Sequence, residues 1–388
     1  VIYVTLLDQF HPGIYSSQVV DVCDYLNYKY NAKIRVVAFL SIRELLKTDA
    51  KKRLKKISPN AIVLPAFPGL KNFQYTAILL FLVCFFTGER IAICRNVFCA
   101  KMALQVKQLG LLKRVVFDGR SAMTAEIEEY DVFPVDYLRN NVKSFESYVV
   151  NNVDFRIAVS SQLVNYWRQN FGYNQNTHVV IPCTLDRKHF SGETFFLSQK
   201  TQEIRKELGF NEEDIVFVYA GSTAPWQSFQ LLEKIFSPLL DKDKTNKLFF
   251  LSKENEDNKR LKEKYPKQVF IKWVEHQNVL TYLQCCDYGI LLREQSKTNQ
   301  VASPTKFAEY LYAGLKVLVS KNLGDFSSFV AEHNCGYIVA EDNFNWNVIT
   351  HTNIETKKKC FELANIYFKK EAEINDLSYK KLINNSLN

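Results

Sequence analysis

Short runs rich in β-branched and aromatic residues recur along the 388-residue chain with helical segments between them, and this alternation narrows its possible folds most. In the first half the runs are Val1–Leu7, Ile34–Leu40, Ala61–Leu64, Arg90–Cys94, Val115–Asp118, Arg156–Val159 and His178–Ile181. Helices fit between them, for example Ser17–Tyr30, Arg43–Lys56 and Lys101–Leu109. A polar stretch near Asp186–Lys200 interrupts the pattern, which restarts with Ile215–Tyr219, Leu248–Leu251, Val269–Ile271, Tyr288–Leu292, Lys316–Val319 and Tyr337–Val339. Strands joined through helices cannot be hairpin partners, so βαβ units and parallel sheets follow. Two doubly wound domains are the economical reading: residues 1–190 and 191–365. The segment 366–388, the end of a helical tail, packs back on the first domain. Ligands of such sheets bind beyond the carboxyl ends of the strands.

Residues 1–190 hold 24 Lys and Arg against 15 Asp and Glu, whereas the remainder holds 26 of each. All the excess positive charge therefore lies in the first half, with one concentration at Lys47–Lys56 (KTDAKKRLKK). A basic helical face suits an anionic bilayer, and a merely solvated helix fits equally well. Nucleic acid is not expected, since no recognition motif or basic-aromatic stripe accompanies the charge. Nine scattered cysteines include no CxxC pair and no zinc spacing, which reads as packing residues in a reducing cytoplasm. The longest apolar run, Tyr75–Phe86, is too short to span a bilayer and fits a buried or interfacial helix. The chain opens inside a strand without a signal-peptide pattern.

The segment Leu291–Gly314 (LLREQSKTNQVASPTKFAEYLYAG) carries the chemistry. Its pattern predicts a strand end, a polar loop, and a helix with Ser303 as N-cap, Pro304 first and Gly314 closing it. Phe307, Tyr310 and Leu311 form the buried stripe, leaving Lys306 and Glu309 on a neighbouring face. A lysine in the first turn opposes the helix dipole unless an anion docks there. The competing reading is an ordinary exposed Lys–Glu pair.

Four segments in order carry a family resemblance. They are Arg156–Ser160 (RIAVS) with Val180–Asp186 (VIPCTLD) and Phe190, then Val218–Trp226 (VYAGSTAPW), and finally Ser303–Val317 (SPTKFAEYLYAGLKV). Together they resemble the retaining glycosyltransferases of family 4, of the polysaccharide-biosynthesis type. The resemblance covers most of the chain and is strongest after residue 155. It implies an α/β fold of GT-B architecture, with two facing Rossmann-like doubly wound domains and the active site in the interdomain cleft. The first domain would bind the acceptor and the second the nucleotide sugar. It further implies that Glu309 takes the ribose hydroxyls, that Gly221 and Ser222 approach the phosphates, and that Val274 backbone atoms meet the base. Asn299, Ser303, Thr305 and Lys306 complete the expected donor set.

The chain departs from that pattern in instructive places. Val301 stands where the first of two glutamates is usual, and Ser222 and Gln227 stand where an arginine and a lysine are common. Positive charge for a diphosphate leaving group then falls to Arg293 and Lys306, the expected catalytic residues. Asp118, after a first-domain strand, is the candidate for proton handling, and His11, Gly13 and Arg120 are candidates for the acceptor. No metal or other cofactor is expected beyond the nucleotide diphosphate sugar as co-substrate. The expected partners are that donor, a saccharide or lipid-linked saccharide acceptor, and, for a cytoplasmic protein, a peripheral contact with the anionic inner face of the cell membrane. A nucleotide-sugar epimerase of the same architecture and a non-catalytic glycosyltransferase-like subunit remain as alternatives.

Overall fold

The structure is a computed structural model and describes residues 1–7, 10, 12–47, 49–130, 136–188, 190, 196, 199–221, 227–340 and 344–387. The chain divides into two compact units, Val1–Asp186 with Glu373–Asn388, and Arg187–Ala372. The first division thus falls after Asp186 rather than 190, and the returning segment starts at Glu373 rather than 366.

The first unit is built on seven parallel strands: β1 (Ile2–Leu7), β2 (Arg35–Leu40), β3 (Ile62–Pro65), β4 (Ile91–Arg95), β5 (Arg114–Gly119), β6 (Phe155–Ala158) and β7 (His178–Val180). Their spatial order is β3-β2-β1-β4-β5-β6-β7. The second unit has six: β8 (Ile215–Ala220), β9 (Asn246–Leu251), β10 (Val269–Ile271), β11 (Tyr288–Leu291), β12 (Lys316–Ser320) and β13 (Gly336–Val339). They too are all parallel, in the order β10-β9-β8-β11-β12-β13. Each sheet therefore reverses its strand order once, between β1 and β4 and between β8 and β11. A crevice opens at such a reversal because the flanking crossovers leave toward opposite faces. Helices on both faces bury central strands completely, which is why Val36–Leu40 and Asn246–Leu251 are buried without alternation.

The helices differ from expectation in detail. The region read as one helix over Arg43–Lys56 is two, Ile42–Lys47 and Ala50–Ile57, broken at Asp49. In the second, Ala50 and Leu54 anchor the helix while Lys51, Lys52, Arg53, Lys55 and Lys56 are exposed. The helix expected over Ser17–Tyr30 opens with a π-helical turn, Ser16–Val20, before Asp21–Tyr30. The apolar helix runs Phe73–Thr87 and is preceded by a 3-10 turn, Leu70–Asn72, so the helical run is longer than the apolar stretch itself. By length and composition Leu70–Thr87 would reach across a membrane, although a third of it is buried in the fold. The tail forms two helices that part company. Ile354–Phe368 stays in the second unit and packs on the helix Thr305–Tyr312. Glu373–Leu382 returns to the first, where Tyr30 donates to Asp376 at 2.6 Å and Tyr379 meets the Tyr25 ring at 5.3 Å. All nine cysteines are buried as free thiols.

Candidate active site

The candidate site lies at the carboxyl edge of the second sheet, where β8 and β11 diverge. Tyr310, fully buried on the helix Thr305–Tyr312, holds this point together. Its hydroxyl accepts from the Ala220 amide at 2.9 Å and donates to the Ile290 carbonyl at 3.3 Å, tying the ends of β8 and β11 to one side chain. The ring crosses β11 so closely that a Cβ on Gly289 would lie 2.3 Å from Tyr310 Cγ. A glycine inside a strand here reflects that close approach.

The helix begins one residue later than the sequence suggests. Pro304 is the N-cap, with φ −68° and ψ 128°, and contributes no side-chain cap bond; Ser303 is buried before it. Extended ψ at Pro304 removes it from the first turn despite its helical φ. Gly314 closes the helix as expected, with φ 79°. The Gly314 amide donates to Leu311 and the Leu315 amide to Tyr310, the paired bonds of a Schellman motif. Phe307, Tyr310 and Leu311 are fully buried, leaving Lys306 and Glu309 half-buried on the adjoining face.

Lys306 reaches back toward the turn after β8. Its Nζ donates to Gln227 Oε1 at 3.1 Å and sits 4.3 Å from the centre of the Tyr219 ring. Gly221, at φ 117°, makes room: a Cβ there would meet Lys306 Cε at 2.6 Å. Burial holds the Lys306 ammonium well below its usual range, the Arg293 charge pushes the same way, and Glu309 opposes them. Arg293, buried just beyond β11, donates to Asn299 Oδ1 at 3.2 Å and to the same Gln227 Oε1 at 3.5 Å. Its backbone amide is fixed by Ser320 Oγ at 2.7 Å. Two cationic side chains thus converge on one neutral amide oxygen, from an arginine and a lysine that repel each other. Such a pair is a receptor for an anion with several oxygens.

Of the expected donor residues, Gly221, Arg293 and Lys306 come together, and Glu309 lies on the same helix face as Lys306. Thr305 opens that helix. Val274 lies half-buried in the loop after β10, at the same edge of the sheet. Asn299 is almost wholly buried, and its side chain accepts from Arg293 and donates to the Glu294 carbonyl, so it positions Arg293. Val301 is buried too. Ser222 lies outside the described residues. In the sequence Gln227 stands out only as a departure from the usual lysine, Tyr219 carries no signal of a site role, and a glycine inside β11 is the one signal for Tyr310.

The first unit corrects two expectations. Asp118, at the end of β5, is 1 % exposed and is surrounded by its own counter-charges. Tyr3 donates to it, Arg120 Nε lies 2.9 Å away and Arg95 is at 3.9 Å. Its neighbours are Val22, Leu26, Ile157 and the Tyr379 ring of the returning tail. Asp118 is therefore an internal counter-ion, and Arg120 is occupied by it rather than offered to an acceptor. Burial is the largest influence and opposes the Arg120 charge, but Asp118 together with Cys183, Tyr3 and Tyr379 outweighs it and raises the guanidinium pKa. Gly13 is exposed in the short helix Pro12–Tyr15, and His11 lies outside the described residues. Among the described residues, no three His, Cys, Asp or Glu side chains cluster in a way that could hold a metal ion.

Comparison with known proteins follows this geometry. Residues 200–352 match the family described as glycosyl transferases group 1. No curated protein matches the chain by sequence. Among solved structures, sucrose-phosphate synthase from Thermosynechococcus elongatus aligns over 99 % of both chains with a TM-score of 0.70 at 14 % identity. Anabaena HepE in complex with UDP aligns over 99 % of both chains with a TM-score of 0.70 at 13 % identity. WaaG, a glycosyltransferase involved in lipopolysaccharide biosynthesis, aligns over 99 % of both chains with a TM-score of 0.65 at 12 % identity. These likenesses establish the GT-B fold expected from the sequence. With a glycosyl transferases group 1 domain across the unit that carries Gly221, Arg293 and Lys306, the chain is a glycosyltransferase.

Proposed function

We propose that the chain transfers a sugar from a nucleoside diphosphate sugar to an acceptor hydroxyl, with retention at the anomeric carbon and a lipid-linked saccharide of a surface polysaccharide as acceptor. The convergence of Arg293 and Lys306 on Gln227 Oε1 carries this reading. As the bond to the anomeric carbon breaks, negative charge grows on the departing diphosphate. Fixed cations at that position stabilise the transition state more than the ground state, which is the condition for acceleration. Gln227 holds both side chains in place until the diphosphate displaces it as their partner. Glu309, a turn further along the helix, is the carboxylate within that face that receives the ribose hydroxyls, each such bond contributing about 1.5–3 kcal/mol.

Retention, the lipid-linked acceptor and the cytoplasmic setting are supported by the sequence resemblance, and for HepE the nucleotide in the related structure is UDP. The scheme uses side-chain cations and the helix dipole, so no metal is required. The test is turnover with a panel of nucleoside diphosphate sugars for Arg293→Ala and Lys306→Ala, with thermal melts as a fold control. Each variant loses roughly 100-fold or more in turnover, as removal of a preorganised charge does. Near-normal rates in both overturn the assignment. Product analysis with donor alone separates transfer from epimerisation, and activity that a chelator abolishes and a divalent ion restores overturns the metal-free scheme.

A further inference from the structure

The helix Phe73–Thr87 contains no charged residue, and both of its faces are apolar. One face is built into the first unit. Phe73, Thr76, Ala77, Leu80, Val83 and Cys84 are buried, and Phe73 packs against Phe98 with ring centres 4.9 Å apart. The opposite face is bare. Tyr75 is 58 % exposed, Ile78 56 %, Leu82 42 %, Phe85 61 % and Phe86 79 %. At about 100° per residue these five positions fall within an arc of roughly 100° along the whole helix. Phe67, 41 % exposed, extends the strip at its start through a ring contact with Tyr75.

Solvent alone does not explain a continuous apolar strip of this kind. We infer that this face docks the protein on an anionic lipid bilayer, the helix lying in the plane of the surface. Three observations select lipid over protein as the occupant. The strip itself offers hydrocarbon and aromatic rings, with the Tyr75 hydroxyl as its one polar group. Aromatic side chains mark both ends, with exposed Lys71 before the helix and exposed Arg90 after it, the arrangement of an interfacial helix. The charge excess of the chain, 24 Lys and Arg against 15 Asp and Glu over residues 1–190, lies with this helix. Because Phe73, Leu80 and Val83 belong to the core, the helix attaches without leaving the fold and so does not span.

Insertion of this strip differs in salt dependence from attraction by the basic helix Ala50–Ile57. At 1 M salt the Debye length is about 3 Å, so purely electrostatic attachment is released while apolar insertion persists. The experiment is flotation of the full chain with phosphatidylglycerol/phosphatidylcholine vesicles at low and at 1 M salt, which needs no donor or acceptor. Its outcome is therefore separate from that of the transferase assignment. Wild-type protein floats and a substantial fraction remains bound at 1 M salt, and Phe85→Ser/Phe86→Ser lowers that fraction at least tenfold with an unchanged melting temperature. Lys51→Glu/Lys52→Glu lowers binding at low salt and leaves the salt-resistant fraction in place. Failure of the wild type to float, complete release by salt, or undiminished binding of the Phe85/Phe86 variant overturns the inference. So does a wild-type dimer in solution that this variant converts to monomer, since a second copy would then be what covers the face.

Discussion

Replacing Tyr310 with phenylalanine removes one oxygen atom from the point where the second sheet opens. The ring stays, still packed over Gly289, so no side-chain cavity forms. What disappears is the acceptor for the Ala220 amide at 2.9 Å and the donor to Ile290 at 3.3 Å. Ala220 is 5 % exposed, so its N–H is left without water to turn to. An orphaned buried donor costs about 1–3 kcal/mol, whereas the long bond to Ile290 adds about 0.5 kcal/mol. The expected loss is about 1.5–3.5 kcal/mol, or roughly a 10- to 300-fold rise in local opening at about 1.4 kcal/mol per decade. A chain of two units does not define one unfolding free energy, so amide hydrogen exchange is the suitable assay. Protection falls at Ala220 and its β8 neighbours while amides of β1–β7 keep theirs. A change below threefold at Ala220, or an equal loss in both sheets, refutes the claim that this hydroxyl ties β8 to β11.

Gly221→Ala forces an L side chain into a backbone at φ 117° and pushes on Lys306, costing about 1–3 kcal/mol in strain. Nucleotide diphosphate affinity drops by an order of magnitude or more, and in a double-mutant cycle with Lys306→Ala the losses are non-additive; simple additivity would show that the glycine acts elsewhere. Lys306 is held below its usual pKa when the site is empty, and a bound diphosphate raises it, so binding takes up a proton at pH values between the two. Calorimetry in buffers of different ionisation enthalpy detects this uptake, and Lys306→Arg, which stays charged, removes it; heats independent of buffer in the wild type count against the assignment. Glu146, fully buried, caps the helix Met123–Tyr130 by accepting from Thr124 N at 2.8 Å, yet burial pushes its carboxyl up to about 7 against those bonds. The folded state then binds the proton more tightly than the unfolded chain, so this stabilisation is complete below pH 4.5 and is lost, by about 3 kcal/mol, as pH rises to about 7. Urea midpoints across that range decline for the wild type and are flatter for Glu146→Gln; parallel profiles would show that Glu146 does not titrate there.

The sheets were legible because the central strands are buried runs of β-branched and aromatic residues that no amphipathic helix would show. The site was legible where chemistry is local, as with the glycine closing the helix at Gly314 and the lysine at odds with the dipole at Lys306. It was not legible where partners come from distant loops. Gln227 lies 66 positions from Arg293 and 79 from Lys306, and its role exists only once β8 and β11 are adjacent. Asp118 shows a different limit. A strand pattern places a residue at the carboxyl end, but whether its side chain turns outward or into the domain depends on Tyr3 and Arg95, which come from β1 and β4, as well as on Arg120 two residues on. The apolar run is shorter than the helical segment it belongs to because the flanking residues, Leu70–Gln74, are less apolar than the run they extend.

The distribution of charge connects the two proposals. A diphosphate-binding site invites a search of the basic half of the chain, yet Arg293 and Lys306 belong to the half in which Lys and Arg are matched by Asp and Glu, 26 against 26. A compact anion is held by few charges at short range with their water removed, and two side chains around Gln227 suffice at any net charge. A bilayer is read differently: many exposed charges act together over about a Debye length, and orientation matters little. The exposed lysines of Ala50–Ile57 have that form, and they make no site of their own. In these two proposals net charge reports the surface approached, while the pair of cations around Gln227 reports the substrate handled.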